Sequence, residues 1–469
     1  MKQKLKKFIK FIRKICFHLF NIIYYPCLRS VYYPRVKKIP RSTQIFLMTR
    51  LDFGTYLFLL HYAACWQRDR GPVCLVVLTS KSLLVQRLAK LICPEVELIC
   101  PAVRFNDWLG RLFGYENIQF FTLNPLYCRF AARWPYAIWI YDQPIDYDLT
   151  ESVSNYIPYF DENMNSLPLH GKPEFLKAYL NAREILDYRI PVFKDMIRLH
   201  YKRHPSHPLS SVTEANYNLR EKLKISEKYV VLNINCKDYG NKVQNIRRIA
   251  HPERYNLLID FLISQNYSVV IQGRSEQPRF AERKGLIDYS KSKYASVEND
   301  LILFSGCDFG VLTKTGAEVF GTVCNIPVLG LNYVELSSMQ PNSRFRFFPK
   351  FIWDTQRSGI VPWEEVLQSP AFFHIGKRAY ATAWEYIELE EQELLDAAQE
   401  FLGLLPRQEK DWTEYTEKQK TFKKLLNPLH LDLHLIKGVP SEAYLNSTRF
   451  FQVLSNKQGE REQPSNLRF

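Results

Sequence analysis

No Asp or Glu occurs before Asp52, although the first fifty residues carry thirteen Lys and Arg. The net charge of +15 therefore belongs to one end of the chain, since 15 − 13 leaves +2 for the other 419 residues. A near-neutral body lacks the broad basic face of a nucleic-acid binder. Long apolar runs are missing too. The charge-free stretch from Ile15 to Leu28 contains His18, Asn21 and Pro26, and it is shorter than the roughly 18 to 20 apolar residues that span a bilayer. No small-x-small cleavage site follows the basic start, which argues against a secretory signal. The ten cysteines form no CxxC pair and no repeated spacing, so neither a zinc framework nor a disulfide framework is indicated. Scattered thiols of this kind fit a reducing compartment, where Cys serves as a small core residue. GxGxxG, Walker, HExxH and GxSxG motifs are all absent, which leaves nicotinamide binding without support.

What is present is a globular composition, 46% hydrophobic and 24% charged, in 469 residues, enough for two or three domains. The start of the chain interleaves Lys6, Lys10, Arg13 and Lys14 with Leu5, Phe8, Ile9, Ile12, Cys16 and Leu19. Apolar steps of three and four put one greasy face opposite one cationic face on a helix. Such a helix can lie on an anionic membrane surface, each cation contributing roughly 1 kcal/mol. Docking on the protein's own body is the alternative. The expected location is cytoplasmic, peripheral on the inner face of the membrane, through residues 1–25.

Beyond Pro40 the pattern alternates. Strands are expected at Gln44–Thr49, Val73–Leu78, Val96–Cys100 and Ala137–Tyr141, and helices at Gly54–Trp66, Lys81–Ile92 and Pro173–Leu186. A second series begins at Tyr229. Its strands are expected at Tyr229–Asn235, Tyr267–Gln272, Phe309–Thr313 and Pro327–Leu331. Its helices are expected at Pro252–Gln265, Val297–Ser305 and Gly316–Cys324, with charged amphipathic helices at Glu388–Leu405 and Asp411–Leu425. This order predicts an α/β protein with two Rossmann-like domains facing a cleft. The expected divisions are a membrane-surface segment at 1–40, domains at 41–210 and 211–405, and a C-terminal helix with a partly disordered tail at 406–469. His200, His204 and His207 sit among Pro205 and Pro208 and read as a solvated linker rather than metal ligands.

Ligands of doubly wound sheets bind beyond the carboxyl ends of the strands. Two such loops stand out in the second half. In one, a strand runs into Thr313, Lys314, Thr315 and Gly316 and then a helix. Free N–H groups there favour anions, glycine permits close approach, Thr313 and Thr315 add hydroxyls, and Lys314 adds a cation. Glu318 could accept from ribose hydroxyls. An ordinary helix cap would use the same residue types. In the other loop, Lys237, Arg247 and Arg248 bring cations to the same rim, joined by Arg274 after the next strand. The Arg fork suits phosphate oxygens.

The run from Tyr229 to about Pro341 resembles the donor-binding half of bacterial GT-B glycosyltransferases, in particular transferases encoded with surface-polysaccharide genes. The resemblance rests on Lys237-Asp238, Ile246-Arg-Arg-Ile-Ala, YSVVIQGR, GLIDYSKSKYASVENDLILFSGCDFGV, and the T-x-T-G turn running on to NIPVLGLN. The chain departs from the family around Asn235–Lys237, where an Arg is usual, and at Lys314, where a small residue is commoner. In the first half, Thr49-Arg-Leu-Asp-Phe-Gly54 is similar in placement to the loop of heptosyltransferase-like enzymes that carries an acidic base. The resemblance implies Asp52 as that base and Arg50 as a phosphate or acceptor contact. It also implies transfer of a sugar from a nucleotide diphosphate to a glycan or lipid-linked glycan, with no cofactor beyond the nucleotide sugar, no metal and no nucleic-acid partner. A nucleotide-sugar epimerase on the same fold, or an inactive glycan-binding scaffold, remain alternatives. Asp146-Tyr147-Asp148 matches an Asp-x-Asp metal motif in letters, but it follows Pro144 and lies off its strand.

Overall fold

The computed structural model describes residues 44–48, 53–77, 82–99, 138–140, 159–160, 166–167, 212–236, 249–273, 280–334, 341–368, 384–426 and 437–447. The basic start, the Pro173–Leu186 helix, Asp146–Asp148, the three linker histidines and the tail beyond 447 lie outside them. The chain divides into two compact units, Met1–Lys177 and Ala178–Phe469.

In the first unit, β1 (Gln44–Met48), β2 (Val73–Val77), β3 (Glu97–Ile99) and β4 (Ile138–Ile140) form a parallel sheet in the order β3-β2-β1-β4. Helix α1 (Phe53–Arg70) carries the chain from β1 to β2, and α2 (Ser82–Ile92) from β2 to β3. Val85, Leu88, Ala89 and Ile92 of α2 are buried at helical spacing, the apolar stripe that drives this helix onto the sheet. A two-stranded hairpin, β5 (Tyr159–Phe160) with β6 (Ser166–Leu167), completes what is described of this unit. Because β4 returns beside β1, strand order reverses at β1, whose carboxyl end leads into residues 49–52.

The second unit holds a seven-stranded parallel sheet. Its strands are β7 (Tyr229–Asn233), β8 (Ser268–Ile271), β9 (Leu286–Asp288), β10 (Phe309–Leu312), β11 (Val328–Tyr333), β12 (Phe345–Pro349) and β16 (Val439–Pro440), in the order β16-β12-β11-β10-β7-β8-β9. The chain winds from β7 outward through β8 to β9, then returns to β10 on the other side of β7 and continues outward. Every residue of β7, β8, β10, β11 and β12 is buried, as befits parallel strands covered on both faces, whereas β9 is half-buried at the edge. The connecting helices are α4 (Asn256–Ser264), α5 (Val297–Gly306) and α6 (Glu318–Cys324), preceded by α3 (Thr213–Leu223) and followed by α8 (Glu391–Leu404). Asn216 ties α3 inward, donating to Tyr229 Oη at 2.9 Å and to the Ile302 carbonyl at 2.7 Å. A small antiparallel sheet, β13 (Phe351–Asp354), β14 (Gly359–Ile360) and β15 (Trp384–Ile387), and helix α7 (Trp363–Gln368) follow β12.

Two expectations are corrected in detail. The last helix of the phosphate-type motif begins at Glu318, two residues later than Gly316, so Thr313–Ala317 is a turn. Within the expected C-terminal segment, the described residues join the second sheet: α9 (Glu417–Leu426) and α10 (Glu442–Asn446) flank β16, which extends the sheet beside β12. Among the described residues no helix is long and apolar enough to cross a membrane.

Candidate functional site

Strand order reverses between β7 and β10, the position at which doubly wound sheets open a crevice beyond their strand ends. Asn233, Asn235 and Cys236 leave β7 there, and Thr313–Gly316 leave β10. The two ends are laced together. Thr313 N donates to the Asn233 carbonyl at 3.0 Å. Asn235 N donates to Thr313 Oγ1 at 2.8 Å, and Thr315 Oγ1 to Asn233 Oδ1 at 3.3 Å. Thr313 is wholly buried, so its hydroxyl joins strands, while Thr315 and Gly316 are half-buried. The backbone N–H groups of Thr315 and Gly316 have no hydrogen-bond partner among the described residues. Two adjacent donors in a half-buried turn, with no partner among the described residues, are what an anion needs.

Lys314 and Glu318 occupy a different place from the open rim that the sequence suggested. Both are buried and form an ion pair. Tyr333, at the end of β11, closes a ring: its hydroxyl accepts from Lys314 Nζ at 3.0 Å and donates to Glu318 Oε2 at 2.6 Å. The ammonium also stands 4.9 Å from the centre of the Tyr333 ring. Both charges are thereby engaged within the fold.

A second group converges on the same strand ends. Ala250 N donates to the Asn235 carbonyl at 2.8 Å, which ties Ala250 to the end of β7. Asn332 has a left-handed φ of 50° at a register shift in β11. Its side-chain Nδ2 donates to Tyr255 Oη at 3.0 Å, and its Oδ1 accepts from Leu389 N at 2.9 Å. That bulge fixes Glu388, which is buried. The carboxylate accepts from His251 N at 3.0 Å and pairs with His251 Nδ1 at 2.7 Å. Lys350 Nζ approaches it to 3.5 Å and Arg254 Nε to 3.7 Å. Burial pushes the Cys236 thiol up to about 12, with help from Glu388 and Glu253, so it is not a nucleophile at neutral pH.

At the end of β8, Gln272 is fully buried and donates from Nε2 to the Asp300 carbonyl at 2.7 Å, while its Oε1 has no partner among the described residues. Burial lifts the Asp300 carboxyl to about 7, partly offset by the Tyr289 hydroxyl.

Of the residues singled out in the sequence, the structure brings together Thr313, Lys314, Thr315, Gly316 and Glu318. Arg50, Asp52, Lys237, Arg247, Arg248 and Arg274 lie outside the described residues. Asn233, Asn235, His251, Tyr333, Lys350 and Glu388 were not anticipated. Only Asn233 and Asn235 left a signal, as amides at the end of an otherwise apolar strand. Among the described residues no group of three or more His, Cys, Asp or Glu side chains is placed to hold a metal ion.

No family model matches the chain, and no curated protein matches it. Solved structures do. A family 9 glycosyl transferase from Veillonella parvula is 10% identical, covering 78% of this chain and 98% of its own, with a TM-score of 0.40. The ADP-heptose lipopolysaccharide heptosyltransferase II of E. coli is 14% identical over 64% of this chain and 86% of its own, with a TM-score of 0.34. An iron-containing dodecameric glycosyltransferase of enterotoxigenic E. coli is 14% identical over 78% and 76%, with a TM-score of 0.35. Likenesses at this level decide neither family nor activity.

Proposed function

We propose that the chain is a GT-B-type glycosyltransferase that moves a sugar from a nucleotide diphosphate to a glycan or lipid-linked acceptor. The observation that carries this reading is the pair of N–H groups at Thr315 and Gly316 that have no partner among the described residues, held where strand order reverses between β7 and β10. Strand-end amides of this kind complement a diphosphate and need no reorganisation as charge grows on it. Thr313 and the Lys314–Glu318–Tyr333 ring set the height and rigidity of the turn, a positioning part rather than direct contact. Lys237, Arg247, Arg248 and Arg274 follow the ends of β7 and β8 in sequence and are assigned to the phosphate oxygens. Asp52, four residues beyond the end of β1, is assigned as the base that takes the acceptor proton. The new bond forms at the anomeric carbon as its bond to the diphosphate oxygen breaks. No metal enters this scheme. The basic segment at residues 1–25 would hold the enzyme on the inner membrane surface, near a lipid-linked acceptor.

A thermal-shift screen against UDP-, GDP-, CMP-, dTDP- and ADP-linked sugars tests the reading, because a ligand that binds the folded state alone raises Tm. One nucleotide class should stabilise the protein, and replacing Gly316 with Pro, which fills the turn and removes one N–H, should abolish that shift. If no nucleotide diphosphate changes Tm, sugar transfer from such donors is ruled out. Isomerisation of the donor without acceptor would instead reveal an epimerase.

A further inference from the structure

A cleft of about 720 Å³ opens at the outer edge of the second sheet, beside β8 and β9. Strand register sets its floor. Ile271 of β8 pairs with Asp288 of β9, and Leu286 lies two residues before Asp288, so the three side chains share one face of the sheet. Phe280, half-buried, adds an aromatic wall from the segment that leads into β9. That segment is fastened to α4. Arg283 donates to Asn256 Oδ1 at 2.7 Å and pairs with Asp260. Gly285 has a left-handed φ of 91°, and a Cβ added there would stand 3.2 Å from Ile263 of α4.

The charges around this cleft cancel. Asp260 offsets Arg283, and Asp288 offsets Lys291 while accepting from the Ser290 hydroxyl at 2.5 Å. Glu282 and Lys284, one charge of each sign, are exposed and have no partner among the described residues. A polyanion would meet Glu282 and Asp288, and a polycation would meet Arg283, Lys284 and Lys291. The ligand that suits the cleft is neutral, has an apolar face, and carries groups that both donate and accept. Hydroxyls do both, giving a hydrogen bond to a carboxylate and taking one from an ammonium. A pyranose ring joins such hydroxyls to a C–H face, and the cleft has the volume of an ordinary small-molecule site. We propose that it binds a neutral saccharide ring, with the C–H face on Phe280, Ile271 and Leu286. The sugar hydroxyls donate to Glu282 and Asp288 and accept from Lys284. The inference goes beyond the glycosyltransferase reading and stands without it. The Thr315–Gly316 turn follows β10, on the other side of β7 from β8 and β9, and neither of its residues lines the cleft. A sugar held here is therefore separate from the one carried by a diphosphate at that turn.

The test is saturation-transfer difference NMR on the full chain with the methyl glycosides of glucose, galactose, mannose and N-acetylglucosamine, and with uridine and adenosine. At least one glycoside should receive saturation at its ring C–H protons, and titration gives its Kd. Phe280→Ala should weaken that binding roughly tenfold, because the aromatic surface under the ring is lost. Lys284→Ala should weaken it about threefold through one hydrogen bond. Lys284 is exposed and unbonded, so this second variant keeps the test valid if Phe280→Ala lowers Tm. No transfer to any glycoside, or equal Kd in the native chain and both variants, would overturn the assignment. Binding of uridine or adenosine alone, with the same dependence on Phe280, would overturn it too and make the cleft the nucleoside end of the donor site. The two readings fail separately. Gly316→Pro should leave glycoside binding intact, and Lys284→Ala should leave nucleotide-induced shifts in Tm intact.

Discussion

Asn235 N donates to Thr313 Oγ1 at 2.8 Å, across the two strands between which the winding of the second sheet reverses. Thr313 is wholly buried and Asn235 nearly so, which makes this bond part of the core and also the floor of the candidate site. The hydroxyl of one residue therefore sets the spacing of both loops.

Replacing Thr313 with Val keeps the shape but leaves the Asn235 N–H buried without an acceptor, at a cost of about 1–3 kcal/mol. Thr313→Ser retains the bond and should lose less than half as much. Urea unfolding of the two variants gives the comparison, and nucleotide-induced shifts in Tm should fall with the first and survive the second.

The Lys314–Glu318 pair behaves as a buried ion pair, where removing one partner strands the other. Lys314→Met should destabilise by about 3–5 kcal/mol. The double variant Lys314→Met with Glu318→Leu should recover part of that loss, because the uncompensated carboxylate is gone. Equilibrium unfolding of both variants decides this, and a double variant worse than the single would contradict the closed ring seen with Tyr333.

Asp300 gives a pH dependence of known sign. Its carboxyl is held near 7 by burial, above the ordinary value of 3.8, so between those values the folded state binds the proton more tightly. Stability should decline as pH rises from about 4 to about 7 on account of this group. Asp300→Asn should flatten that decline, raising Tm relative to the native chain at pH 8 more than at pH 5.

His61 acts in the opposite sense within the first unit. Burial depresses its imidazole from 6.5 to about 4, and its ring nitrogen lies 3.6 Å from Cys65 Sγ. The unfolded chain takes the proton first, so stability present above pH 6.5 is lost as pH falls towards 4. Hydrogen exchange in α1 should accelerate over that interval, and His61→Met should remove the effect.

Local order was legible because it is written in short-range periodicity. The strands at Gln44–Met48, Val73–Val77, Tyr229–Asn233 and Phe309–Leu312 are apolar runs bounded by polar turns, and Val85, Leu88 and Ile92 repeat at helical spacing. The alternation of these runs sufficed to indicate parallel sheets and to point at the turn after β10. The strand FRFFP at Phe345–Pro349 was not legible, since Arg346 reads as a solvent-facing charge. In the fold that guanidinium is buried, donating to the Trp412 carbonyl at 2.6 Å with its charge 5.1 Å from the Trp412 ring centre.

By itself, then, the sequence determined that the basic charge sits at one end, that two α/β series follow one another, and that Thr-Lys-Thr-Gly ends a buried strand. Only the tertiary structure decided that β10 lies against β7. It alone brought Tyr333 to the Lys314–Glu318 pair, and His251 to Glu388. The physical reason is range: periodicity and turn chemistry act over a few residues, whereas these pairings join positions 15 to 137 apart. Which charge meets which partner over such separations is fixed by packing of the whole sheet, and no local pattern encodes it.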